Sequence, residues 1–247
     1  MKNKEFIAYG IHPISEILKK GKPIEKVLIQ KGLRGDAAYE VVNGLRKAEV
    51  PIQYVPKAKL DRITGKNHQG MIAYISPVEY QNIEWLLPDL YEKGETPLIL
   101  ILDGITDVRN FGAICRTAEC AGVHAVVIPT KGSAQIGPDA IKTSAGALLQ
   151  LPICRSMNIT DTLNFLKTSG LKIIACHENA EVSHTEADLT APAAIIMGSE
   201  ESGIQIENLA TSTDQIRIPL KGRTSSLNVS TATGIILFET LRQRSLN

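Results

Sequence analysis

Aromatic side chains make up only 4% of this 247-residue sequence, and net charge all but cancels at +1. No stretch approaches the roughly 20 consecutive apolar residues of a membrane-spanning helix, and the opening MKNKEFIAYGIHPISEILKK lacks the continuous apolar run of a signal peptide. These absences predict a cytoplasmic protein. Its four cysteines, Cys115, Cys120, Cys154 and Cys176, show no C-x-x-C spacing. A chain this long buries enough core to need no disulfide staples, so the four are read as reduced, mostly buried thiols. None has neighbours that mark a nucleophile, and no metal site is expected. The dinucleotide fingerprint G-x-G-x-x-G is also missing, as are internal repeats and low-complexity segments. With 43% apolar and 21% charged residues the composition is that of a folded globular protein, which excludes disorder.

Charge is present but unevenly placed. Residues 1–75 hold 14 Lys and Arg against 7 Asp and Glu, a balance of +7, whereas the remainder holds 13 against 19, a balance of −6. Such asymmetry suits a polyanion-binding module joined to a second domain, although a lysine-rich solvated surface has the same composition. Within 1–75, HPISEILKK and DAAYEVVNGLRKAEV have helical periodicity, the latter aligning Ala38, Val41, Val42, Leu45 and Ala48 on one face, while KVLIQ, IQYV and GMIAYIS read as strands. This predicts a small α/β domain. Residues 76–96 carry prolines and no strand pattern, and are read as a linker with a short helix around Trp85. From 97 to 247 the strands LILILD, AVVIP, LKIIAC, AAIIMG and QIRIP are apolar on both faces, separated by helical segments. That pattern belongs to an α/β domain whose mainly parallel sheet is covered by helices on both faces.

Three loops follow these strands. The first, after Asp103-Gly104, leads into a helix from about Phe111, which places Asn110 at the helix start and Arg116 one to two turns in. An Asn there is ordinarily a cap, whereas an early arginine opposes the helix dipole and calls for a negative partner. The second, GSEESGI from Gly198, combines glycines that permit close backbone approach with two acids, Glu200 and Glu201. Carboxylates rule against a phosphate cradle and suit ribose hydroxyls or positive charge. The third, IPLKGRTSSLNVS, runs from Ile218 through Ser226, Leu227 and Asn228 into a final helix. All three lie at the carboxyl edge of one sheet, where open α/β sheets bind ligands.

These segments, D-x-x-x-D-x-x-N-x-G-A-I-x-R-T-A from Asp103, G-S-E-x-x-G-I from Gly198 and I-P-x-x-G-x-x-S-S-L-N-V-S from Ile218, resemble in order the three motifs of the SpoU (TrmH) family of RNA 2′-O-methyltransferases. Val108 stands where that family often has proline, and Glu201 where it often has glycine. The resemblance implies S-adenosylmethionine as cofactor, a deep trefoil knot in the C-terminal part of the sheet, and a homodimer whose interface completes the site. It further implies that Gly198, Ile218 and Leu227 hold the cofactor, while Asn110, Arg116, Glu200, Ser226 and Asn228 surround the reacting centre. Arg116 is either the general base or a cationic stabiliser of the developing alkoxide; a guanidinium is ordinarily always protonated. YGIHPISEIL and HQGMIAY resemble the substrate-binding domain, similar to ribosomal protein L30e, of members that modify guanosine in 23S rRNA. His68 and Gln69 are read there as shaping a turn. The alternatives are a tRNA 2′-O-methylase, a ribosome-protecting resistance methylase, and a non-enzymatic ribosome assembly factor.

Overall fold

The protein is described here by a computed structural model covering residues 6–246. It divides into two compact units, one holding the chain up to Glu79 together with Ile136–Pro138, the other holding Tyr80–Gln135 and the chain from Asp139 onward.

The first unit runs β1 (Ile7–Tyr9), α1 (Ile11–Lys19), β2 (Ile24–Gln30), α2 (Asp36–Lys47), β3 (Ile52–Val55), α3 (Lys57–Ile63) and β4 (Met71–Ile75). Its sheet has the order β1-β4-β2-β3; β4 is antiparallel to both neighbours and β2 is parallel to β3. Alternation sends Val27, Ile29, Met71 and Ala73 to one face, where Ile14 of α1 and Ala38, Val41 and Leu45 of α2 cover them. Leu28, Val55 and Ile72 point the other way, onto Leu60 of α3. Ala48, expected on the buried face of α2, is instead its exposed C-terminal cap, because the helix ends one residue earlier. The His68-Gln69 turn ties this unit together. Gln69 takes a left-handed backbone and its Oε1 accepts the Ile11 N–H at the start of α1 (3.0 Å). His68 is buried, accepts from the Gly70 N–H at Nδ1 (3.0 Å) and thereby carries its proton on Nε2, facing Asp61 Oδ1 (2.9 Å).

The second unit contains β5 (Tyr80–Gln81), α4 (Ile83–Glu92), β6 (Leu98–Asp103), α5 (Val108–Cys120), β7 (Ala125–Pro129), α6 (Pro138–Thr143), β8 (Ile153–Ser156), α7 (Ile159–Thr168), β9 (Lys172–Cys176), β10 (Val182–Ser183), β11 (Ala193–Gly198), α8 (Ile206–Thr211), β12 (Asp214–Arg217) and α9 (Val229–Arg244). Its eight strands lie in the order β10-β12-β9-β11-β6-β7-β8-β5, and every pairing is parallel. The chain builds outward from β6 through β7 to β8, then crosses back to place β9 and β11 on the other side of β6. Such a reversal opens a crevice at the carboxyl ends of the strands. The core is made by Ile99, Ile101, Val127, Ile173 and Ile196 of the sheet against Leu163 and Leu166 of α7.

Within residues 76–96, read from sequence as a linker with a short helix around Trp85, that helix is present as Ile83–Glu92 and, with the edge strand Tyr80–Gln81, belongs to this unit. Asn82 caps α4 by accepting the Glu84 N–H (2.8 Å), and Ile83 and Leu87 bury into the same core. Pro88 sits inside this helix.

Candidate active site at the carboxyl edge of the parallel sheet

β6 and β11 pair in register to their last residues, Asp103 opposite Gly198, so the first two loops leave the sheet side by side. Asp103 is 1% exposed and its carboxylate is filled by three donors: the Gln205 N–H (2.8 Å), Gln205 Nε2 (3.1 Å) and Asn208 Nδ2 (2.8 Å). The base of the first loop thus clamps the exit of the second. Between them, Ser199 and Gly203 exchange backbone hydrogen bonds (3.1 and 2.9 Å), folding the loop back onto Gly198. A Cβ at Gly198 would lie 2.2 Å from the Gly203 carbonyl carbon, and Gly203 has φ +66°, so both positions demand glycine. Glu201, between them, has no positive φ, and a side chain where relatives often have glycine therefore leaves the turn intact.

The first helix starts earlier than its sequence suggests. Asp107 caps α5, accepting from the Arg109 and Asn110 N–H groups (both 2.8 Å), so Asn110 is the third helical residue rather than the cap. Val108 occupies the first helical position, which proline favours for its preset φ and because its missing N–H costs no helical bond there, and the helix forms without it. Relieved of capping, the Asn110 side chain is free to turn outward: its Oδ1 accepts from Asn228 Nδ2 (3.0 Å). That same amide nitrogen donates to Glu200 Oε1. Asn228 Oδ1 meanwhile caps α9 through the Ser230 and Thr231 N–H groups (3.0 and 3.4 Å), and Glu200 Oε1 also accepts from the Val229 N–H (3.3 Å). One asparagine therefore joins all three loops: Asn110 from the first, Glu200 from the second and itself from the third.

Beside this junction is a cavity of about 370 Å³. Gly198, Glu200, Ile218, Ser226 and Leu227 line it, five of the eight positions singled out from sequence. Asn110 and Asn228 adjoin it through Glu200. Arg116 does not line it: it sits in the third turn of α5, farther along than expected because the helix begins at Val108, exposed and without a hydrogen bond or ion pair among the described residues. Sequence reading missed Cys176, His177 and Glu178, which follow β9 into the same cavity. An apolar strand ending in polar residues at the sheet's carboxyl edge was the available signal. His177 is oriented by Gln215, whose Oε1 lies 3.0 Å from its Nε2, and burial pushes the Cys176 thiol up to about 12.

The family described as SpoU rRNA Methylase matches residues 97–238, and that described as RNA 2′-O ribose methyltransferase substrate binding matches residues 7–81. The chain is 38% identical to the 23S rRNA (guanosine-2′-O-)-methyltransferase RlmB of Photorhabdus laumondii over 97% of its own length and 98% of the relative's. Against the enzyme of the same name from Vibrio vulnificus it is 38% identical, covering 98% of each chain. Among solved structures it resembles an AdoMet-bound rRNA methyltransferase from Sinorhizobium meliloti, with a TM-score of 0.62 and 25% identity over 96% of this chain and 87% of that one. The loops joined at Asn228 are thus those of a recognised sequence class, and the chain belongs to the SpoU rRNA methylase family.

Proposed function

We propose that this enzyme transfers a methyl group from S-adenosylmethionine to the ribose 2′-hydroxyl of a guanosine in 23S rRNA. The observation that carries the proposal is the Asn228 junction, which draws one polar residue from each of three loops to the rim of a single cavity.

The cavity suits the cofactor. Its volume falls in the range of about 300–1,000 Å³ usual for small-molecule sites, and the Gly198 turn presents backbone where a side chain would not fit. Gly198, Ile218 and Leu227 hold the cofactor through main chain and apolar contact, and Glu200 lines the wall nearest the junction. When bound, S-adenosylmethionine supplies an electrophilic methyl carbon. The protein's work is placement: Asn110, Ser226 and Asn228 orient the ribose, and hydrogen bonding to Glu200 fixes the Asn228 amide before substrate arrives. Arg116 remains a cation, neutralises the adjacent phosphate and stabilises charge that develops on the 2′-oxygen, whose proton leaves to water.

Arg116 lies outside its own chain's cavity and has no partner among the described residues, which supports a homodimer in which each copy's arginine completes the other's site. Phe238 and Leu241 of α9, 49% and 40% exposed, offer apolar surface for that pairing. The same segment supports a trefoil knot: β11 lies between β6 and β9, β12 lies beyond β9, and α9 then returns to pack on α5. The first unit, with a mixed sheet and a balance of +7 over residues 1–75, acts as the rRNA-binding domain of the ribosomal protein L30e type. The setting is the cytoplasm; no described helix is long and apolar enough to cross a membrane.

The test is to incubate the protein and labelled cofactor with unmodified 23S rRNA and with tRNA, then map 2′-O-methyl positions by reverse-transcription stops at low nucleotide concentration. One new stop at a guanosine of 23S rRNA is expected. Methylation of tRNA alone would move the substrate assignment, and no methylation with cofactor still bound would leave an assembly factor.

A further inference from the structure

The cavity is lined by three carboxylates, Glu178, Glu200 and Glu201, and by no lysine or arginine. Glu200 is engaged with Asn228 and the Val229 N–H. Glu178 and Glu201 are both exposed and make no hydrogen bond or ion pair among the described residues. No ion pair among the described residues offsets their negative charge. Each is fixed at the backbone: Glu178 in the turn closed by the Ala180 N–H on the His177 carbonyl (3.3 Å), Glu201 inside the Ser199–Gly203 hairpin. A cavity built this way favours a cationic ligand over a neutral one of the same shape.

We propose that Glu178 and Glu201 make the site charge-selective, so that it retains S-adenosylmethionine and releases S-adenosylhomocysteine. This inference rests on the methyltransferase reading above. Transfer breaks the methyl carbon's bond to sulfur, forms its bond to the ribose oxygen and releases the hydroxyl proton. The ligand left behind is a neutral thioether, one positive charge poorer. Carboxylates in the cavity wall would stabilise the ligand with the extra positive charge more than the one without it, so turnover itself weakens what holds the ligand in place. Glu178 and Glu201 are positioning residues in this scheme and touch no reacting atom.

The experiment is calorimetric titration of the full-length protein with each ligand separately, for the wild type, Glu178→Gln, Glu201→Gln and the double variant, with circular-dichroism melts confirming an unchanged fold. The wild type should bind S-adenosylmethionine the more tightly. Each single variant should lower that preference about three-fold and the double variant about ten-fold, through weaker S-adenosylmethionine binding with S-adenosylhomocysteine affinity nearly constant. Added salt should shrink the wild-type preference more than that of the double variant. A preference unchanged in the double variant, or equal loss for both ligands, overturns the proposal while leaving the methyltransferase reading intact. Failure of the wild type to bind either ligand overturns the reading itself.

Discussion

At the amino ends of β6 and β11 the guanidinium of Arg244 donates to four backbone carbonyls, Thr96 (2.7 Å), Ala191 (2.8 Å), Leu189 (3.3 Å) and Pro97 (3.4 Å). On α5, whose first turn stands at the opposite end of the same strands, Arg116 has no partner among the described residues. α5 and α9 pack on each other, so Arg244, whose donors are consumed by the fold, and Arg116, whose donors are spare among the described residues, belong to one helix pair. Arg244 is half-buried, and desolvation draws its pKa below the ordinary arginine value. A cation is kept there because its fork of N–H groups satisfies carbonyls that precede two strands. The fold gains nothing comparable from Arg116, whose proposed role outside the chain is what its variants test.

The largest effect that can break this contrast is on turnover. Arg116→Ala should lower kcat by about 10²–10³-fold, the scale of losing one charge-stabilising group, while cofactor affinity and melting temperature stay at wild-type values. Methyl incorporation, calorimetry and a thermal melt on one preparation decide it, and a variant that melts early would mean Arg116 is structural after all. Coexpressing Arg116→Ala with Asn228→Ala sharpens the point. If each arginine serves the partner's cavity, mixed dimers regain one intact site, whereas sites confined to single chains regain none.

Arg244→Ala should show the converse, a loss of about 2–3 kcal/mol of stability from several carbonyls left without their charged donor, or roughly 5–10 °C in melting temperature. Arg244→Lys should recover only part of it, since an ammonium cannot span four acceptors in a fork. Cofactor affinity measured well below the transition should be unchanged. A variant with wild-type stability would show that these contacts contribute nothing net.

Asn228 stands between the two arginines, serving fold and site together. Asn228→Ala removes the cap of α9, worth about 1 kcal/mol, and also releases Asn110 and Glu200 from each other. Activity should therefore fall much further than stability, and Asn228→Asp, which keeps a capping oxygen but sets a second carboxylate beside Glu200, should restore the melting temperature without restoring turnover. Equal rescue of both by aspartate would reduce Asn228 to a cap.

How much of this the sequence disclosed follows the range of the interactions. The strands of the second unit were legible because runs such as LILILD and AAIIMG need burial on both faces, and the three loops because their polar residues follow those runs. The cap of α5 was misplaced by three residues: Asp107 and Asn110 are both good capping residues, and only the placed backbone shows which one is used. β8 passed unnoticed because ICRS is short and interrupted by a charge. The Asp103 clamp could not be read at all, since its partners Gln205 and Asn208 lie 102 and 105 residues away and no local pattern links them. In α9, buried Val229, Ile236 and Leu237 share the helix with exposed Phe238 and Leu241, so periodicity does not single out an inward face.

The smallest expected effect concerns the thiols, which the sequence reading takes as mostly buried and which the structure divides. Burial raises Cys154 and Cys176 to about 12 and Cys115 higher still, so all three stay protonated at any pH the folded protein experiences. Cys120, at the end of α5, is exposed. Only thiolates alkylate at useful rates, so iodoacetamide at mildly alkaline pH should label Cys120 alone, and the other three should react only when denaturant opens the domain. Mass spectrometry of the labelled peptides reads this directly. Because Cys176 lines the cavity and is only half-buried, labelling of it as fast as Cys120 would mean that its thiol is not held protonated as its surroundings imply.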